Sequence, residues 1–142
     1  CMVCVAEHDR ELAEALHDRN IAALLCEHAH EGMGSTLAEG VSALPGWSGV
    51  LVALADMPWV APDTYRRLAR DLSEQRIVVP VFDGRRGHPV GFGREFYTDL
   101  SVLAGDTGAR SVVARYSARV TQVTLADPGI VRDVDVLGDL SR

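Results

Sequence analysis

The sequence predicts an α/β domain with a largely parallel sheet and a mixed edge, and three observations carry that expectation. Short apolar runs alternate with segments of helical period along the chain, the order that builds a parallel sheet with helices packed on it. Gly49–Ala55 is apolar or small at every position, so a strand there has no solvent face and must be covered on both sides. Asp83-Gly84, set between two apolar runs, signals one hairpin and with it an antiparallel edge. At 142 residues the chain is long enough for one domain that buries about 70% of its unfolded surface.

Each element has its own local signal. Met2–Ala6 is an apolar strand, and Asp9 caps a helix over Arg10–Asp18 with Leu12, Ala15, Leu16 and Arg19 at helical spacing. Ile21–Leu25 is a second strand. The loop EHAHEGMG leads to a helix starting near Ser35, where Thr36-Leu-Ala-Glu39 has capping-box form and Leu37, Val41 and Leu44 share a face. Pro45-Gly46 stops it, and Gly49–Ala55 follows as a strand. Pro62, with Asp63 beside it, opens a helix whose apolar face continues through Leu68 and Leu72. Arg76–Phe82 and His88–Phe92 are the hairpin strands around DGRRG. Phe96–Leu103 reads as a helix, Gly105–Gly108 as a sharp turn, Ala109–Tyr116 as a helix and Arg119–Leu125 as a long strand. The tail RDVDVLGDLSR ends in a short strand and a helical turn. There are no repeats, low-complexity tracts or linkers.

Composition excludes several classes of function. A net charge of -6 is wrong for a nucleic-acid or anionic-membrane surface, which needs clustered cations. It leaves room for a small phosphorylated ligand met by a metal ion. No run approaches the roughly 20 apolar residues of a membrane span, and CMVCVAEHDR has no secretion-signal pattern. Three cysteines, an odd number, read as reduced thiols and a cytoplasmic protein. Cys1 and Cys4 form a C-x-x-C, with Cys26, His28 and His30 further on, but the spacing fits no common zinc module. Free, mostly buried thiols are the simpler reading.

Five stretches carry chemistry. Asp56, in LVALADMPWV, ends an apolar strand. It stands too far before Pro62 to cap that helix, so it either closes an Asx-type turn across Met57-Pro58 or ligates magnesium. That metal usually takes one or two protein carboxylates and fills its shell with water and substrate phosphates. In Glu31-Gly-Met-Gly-Ser-Thr36, Gly32, Gly34 and Ser35 either turn the chain or let a ligand approach free backbone N–H groups. Gly84-Arg-Arg-Gly-His-Pro89 is a solvated hairpin tip, or it sets His88 at a strand start facing substrate. Gly105-Asp-Thr-Gly-Ala-Arg110 is a turn and helix cap, or its Arg110 meets a phosphate. In the tail, Asp133 and Asp135 alternate on one strand face, as solvated acids or as metal ligands.

In order, GMGSTLAEG, LADMPWV, RRGHPVGF, GDTGAR and DVDVLGDL resemble the MobA-like nucleotidyltransferase family that contains molybdenum cofactor cytidylyltransferase. The resemblance runs from about residue 2 to residue 140. It implies a Rossmann-like three-layer α/β/α sandwich, spanning 1–142 as a single domain. It also implies transfer of CMP, or another nucleoside monophosphate, from a nucleoside triphosphate to a phosphorylated pterin. Pyrophosphate leaves, magnesium is the cofactor, and a molybdoenzyme or its chaperone is a further partner. By the same resemblance Asp56 and Asp135 are the metal ligands, and Gly32, Gly34, Ser35, Asp106 and Arg110 line the nucleotide or acceptor pocket. Asp56 and His88 are then the catalytic residues, His88 lying near the acceptor. Such a site works by positioning and electrostatics and needs no covalent nucleophile.

Two departures qualify the resemblance. The family opens on a strand and a glycine-rich loop, L-A-A-G-x-S-x-R-M-G, followed by a lysine, and this sequence contains neither; CMVCVAEHD resembles the family's second strand. The expectation is a domain lacking its first βα unit and, without that loop, unable to transfer nucleotides. The tail also has Val136-Leu137 where the family often has Thr-Pro, which weakens the match of Asp135. The same family includes nicotine blue oxidoreductase, so an NAD(P)H-dependent oxidoreductase is the alternative activity. A non-catalytic homologue that binds a nucleotide, a pterin or a partner enzyme is the third.

Overall fold

The computed structural model describes residues 1–134. Two compact units emerge, one of Cys1–Gly46 with Phe96–Arg115, the other of Trp47–Glu95 with the described chain from Tyr116 onward.

In the first unit, β1 (Met2–Ala6) pairs in parallel with β2 (Ala22–Cys26), Met2 opposite Ala22 and Ala6 opposite Cys26. Between them runs α1 (Arg10–His17), started by Asp9, whose carboxylate accepts the Leu12 N–H at 3.3 Å. That local cap is the one its sequence calls for. No residue of α1 is fully buried, and Leu12 is 44% exposed. Helix α2 (Met33–Ser42) begins two residues before Ser35 and buries Gly34, Ala38 and Val41 along one stripe, with Ser35 beside it. The expected capping box does not form. Thr36 lies inside the helix and its hydroxyl donates to the Gly32 carbonyl, while Glu39 reaches back over the end of β2. Helix α4 (Tyr97–Leu100) is half the length expected, and α5 is Arg110–Arg115.

The second unit is a five-stranded mixed sheet. β4 (Ile77–Phe82) is its most buried strand, and β7 (Val120–Thr124) pairs with it in parallel over five residues. On its other side β4 meets two short antiparallel partners. Ile77 and Val78 face β6 (Val90–Gly93), and Val81 and Phe82 face β5 (Arg85–Arg86). β6 also pairs antiparallel with β3 (Gly49–Val52), so the antiparallel strand lies within the sheet and not only at its rim. β3 ends three residues sooner than its apolar run suggested, because β6 offers partners only for residues 49–52.

Pro80 sits in the middle of β4, where a missing N–H is normally costly. Its carbonyl accepts the Gly87 N–H at 2.9 Å. Carbonyl and amide positions of one residue point the same way, so the absent donor faces the gap between β6 and β5. The ladder to β7 loses nothing. The hairpin turn uses Asp83 and Gly84 at φ 47° and 72°, the left-handed pair that matches strand twist. Helix α3 (Pro62–Asp71) lays Leu68 on Val78 and Val123, with Leu51, Leu72 and Leu125 around them. Full burial of each large side chain there contributes about 1.5–3 kcal/mol.

The cap of α3 comes from far along the chain. Asp127 accepts the Ala61 N–H at 2.9 Å, the Thr64 hydroxyl at 2.6 Å and the Gly129 N–H at 2.9 Å. Burial alone would raise this carboxyl, but those three donors outweigh it and hold the group below the usual aspartate range. A depressed folded-state pKa stabilises the fold above the ordinary aspartate range, and the gain is lost as acid protonates the group. Asp127→Ala is expected to cost about 1–2 kcal/mol in urea denaturation at neutral pH. The difference from the parent chain should shrink as the pH falls below that range.

Candidate functional site

In the first unit the EGMGS segment folds against the GDTG turn. A 3-10 turn at Ala29–Glu31 delivers Gly32 at φ 129°, a conformation that L side chains rarely adopt. A Cβ on Gly32 would lie 2.3 Å from Asp106 Oδ1 and 2.5 Å from the Gly105 carbonyl carbon, and one on Gly34 2.7 Å from the Gly105 oxygen. The bare faces of both glycines are therefore filled by residues 104–106, the turn that the sequence placed in a separate motif. Ser35, 5% exposed, joins the two: its hydroxyl accepts the Gly105 N–H at 3.1 Å and donates to Glu31 Oε2 at 3.2 Å. Asp106 and Arg110 are exposed on the turn and at the start of α5.

Two acids organise this segment in roles that the sequence did not assign them. Glu31 Oε1 lies 3.0 Å from His28 Nδ1. This bond to Glu31 raises the His28 imidazole above its ordinary range, and the same bond, with that from Ser35, lowers Glu31. Glu39 accepts the N–H groups of Glu27 at 2.9 Å and His28 at 2.7 Å, closing the end of β2. The local signal at Glu39, a capping box with Thr36, pointed elsewhere, since its partners lie eleven and twelve residues back.

The cysteines are all free. Cys1 is exposed, Cys4 half-buried and Cys26 fully buried, and burial pushes the Cys26 thiol up to about 12. Among the described residues no group of three or more His, Cys, Asp or Glu is arranged to hold a metal.

In the second unit one segment, 127–134, touches both motif loops. The Val134 N–H donates to the Asp56 carbonyl at 2.8 Å, and the His88 N–H donates to the Ile130 carbonyl at 2.9 Å. Close packing seals the same contacts. A Cβ on Gly129 would fall 2.2 Å from the Trp59 oxygen, and one on Gly87 2.0 Å from the Ile130 oxygen. Arg132 lies over the Trp59 ring, its guanidinium carbon 3.7 Å from the centroid.

Asp56 is exposed, two residues into the turn after the end of β3. Its carboxylate has no hydrogen bond or ion pair among the described residues, so the Asx-type turn is not formed. His88 is half-buried. Asp133 is exposed, and Asp135 lies outside the described residues. Asp127 was missed by sequence, although Asp-Pro-Gly is itself a turn signal that could have drawn attention to it. Among the described residues no helix is long and apolar enough to cross a membrane.

The local chemistry makes two expected outcomes concrete. Gly34→Ala, whose methyl would meet backbone, should destabilise the chain by about 1–3 kcal/mol in thermal or urea unfolding. In a proton NMR titration His28 should lose its proton above the ordinary histidine range, and Glu31→Gln should bring it back down.

Residues 1–120 match the model of the MobA-like NTP transferase domain. Nicotine blue oxidoreductase from Paenarthrobacter nicotinovorans is 29% identical over 119 residues, covering 78% of this chain and 58% of that protein. The chain thus spans less than two thirds of that relative's length. A nucleotidyl transferase from Methanothermobacter thermautotroptrophicus superposes over 100% of this chain and 70% of its own, with a TM-score of 0.81 at 21% identity. Rv0371c from Mycobacterium tuberculosis, in complex with manganese, matches over 99% of this chain and 75% of its own, with a TM-score of 0.75 at 25% identity. The likeness carries the α/β, Rossmann-like fold expected from the sequence. With the family model spanning residues 1–120, the chain belongs to the MobA-like NTP transferase domain family.

Proposed function

We propose that this chain is part of a divalent-metal-dependent nucleotidyltransferase. It would transfer CMP, or another nucleoside monophosphate, from a nucleoside triphosphate to a phosphorylated pterin of the molybdenum cofactor type, releasing pyrophosphate. The observation that carries the reading is Asp56, an exposed carboxylate without a partner among the described residues, on a turn held in place by the Val134 N–H. A surface acid this well anchored and this free suits a hard cation that takes one or two carboxylates and leaves its other positions to water and phosphate. Membership of the MobA-like family and the manganese complex of Rv0371c both support it. Magnesium is the metal favoured, with Asp135 as the second ligand.

A bound divalent ion would offset the charge that grows on the leaving pyrophosphate. The remaining roles fall to the chain itself. In this reading the start of α2, at Gly34 and Ser35, offers N–H donors to phosphate oxygens, and Gly32, whose own N–H goes to the Ala29 carbonyl, turns the chain into that position. Arg110 pairs with a phosphate and Asp106 fixes the turn that carries it, while His88 orients the acceptor. No covalent intermediate on the protein is required.

An NAD(P)H-dependent oxidoreductase is the second reading, favoured by the match to nicotine blue oxidoreductase. A non-catalytic homologue that binds a nucleotide or a pterin is the third. In the full-length gene product, Asp56→Asn should lower magnesium- or manganese-dependent pyrophosphate release by about two orders of magnitude, and should weaken manganese binding read by electron paramagnetic resonance. Unchanged turnover in that variant would remove Asp56 from the metal. Oxidation of NAD(P)H by a quinone-like dye, without pyrophosphate release, would favour the oxidoreductase.

A further inference from the structure

Arg132 and Trp59 form a pair that the proposed chemistry leaves unused. The guanidinium carbon lies over the indole, 3.7 Å from its centroid. Arg132 is exposed, and its guanidinium has no carboxylate or carbonyl partner among the described residues. Stacking engages only the π face of the guanidinium, so its five N–H donors, arrayed around the rim, remain available. Both members sit on fixed backbone. Trp59 is pressed on Gly129, and Arg132 lies between Ile130, whose carbonyl accepts the His88 N–H, and Val134, whose N–H donates to Asp56. A free surface arginine gives up much rotamer freedom when it binds. This one has been set in place beforehand by an aromatic platform and a pinned segment.

We propose that Arg132, held on Trp59, is a binding site for a phosphate group beside the Asp56 turn. A planar fork with free donors matches two oxygens of a tetrahedral phosphate, which a lysine cannot do in the same way. In a chain of net charge -6, with exposed Asp133 next to Arg132 and exposed Asp56 three residues before Trp59, a preset cation is needed for an anion to settle there. Whether the phosphate belongs to the nucleotide or to the acceptor rests on the transferase reading. The anion site itself does not.

The chain has two tryptophans, Trp47 and Trp59, so Trp47→Phe leaves Trp59 as the sole indole reporter, directly beneath the guanidinium. The full-length gene product carrying this change, together with replacement of any further tryptophan outside these residues, is titrated without metal. The probes are inorganic phosphate, glycerol 2-phosphate and CTP, followed by Trp59 fluorescence and by calorimetry. Saturable binding by the base-free phosphates assigns the site to the acceptor side, and binding by CTP alone assigns it to the nucleotide. Arg132→Gln should weaken either by about ten-fold or more, and Arg132→Lys should recover only part of the loss. Wild-type affinity in Arg132→Gln, or no binding of any of the three by calorimetry, overturns the proposal. Asp56→Asn separates the two claims. Metal-free phosphate binding that survives in that variant keeps the Arg132 site standing even where turnover shows the transferase reading to be wrong.

Discussion

The second unit depends on one carboxylate. Asp127 binds two groups at the head of α3 and one in its own turn, and so fastens a late segment of the chain to the loop that follows β3. The Ala61 N–H at the head of α3 has no acceptor within the helix, and neither Ala61 nor Pro62 has a side chain that can cap. An acceptor had to come from elsewhere. Once Asp127 supplies it, residues 129–134 can lie along the same loop, and the contacts to Trp59, His88 and Asp56 follow in sequence. The position of the candidate metal ligand is in this sense a by-product of capping a helix.

The first unit solves a related problem with steric fit. Gly32 and Gly34 let the turn at 104–106 come within a distance that any side chain would forbid, and Ser35 bridges the pair with a hydroxyl that both accepts and donates. Glycines before a helix are commonly read as room left for a ligand. Here much of that room is taken by the protein itself, residues 104–106 lying where the missing side chains would be.

How much of this was legible depended on how local each cause was. Asp9, Pro62 and the Asp83-Gly84 turn act within a few residues of the structure they set, and the elements appear where the sequence placed them. The Thr36–Glu39 box had equally good local form and failed, because Glu39 found the open end of β2 and Thr36 was drawn inside the helix. Apolar continuity marked β3 correctly but overstated its length, since strand length is fixed by the partner and not by hydropathy. At the candidate site the motif residues could be named from sequence, Asp56 and His88 among them. The segment that holds them could not, because Ile130 and Val134 act through their backbone and any residue type would look the same.

That last property has an evolutionary consequence. Between Asp127 and Val134 the chain is used as a ruler: a side chain at one end, carbonyl and amide groups in the middle and at the other end, each meeting a different loop. Exchanging one exposed side chain for another leaves the spacing intact. Adding or removing a single residue would shift every later contact at once and misplace two motif loops together. Apart from Asp127, Gly129, the buried Ile130 and Arg132, the stretch should therefore drift in composition while keeping its length, the reverse of what is usual for a surface loop.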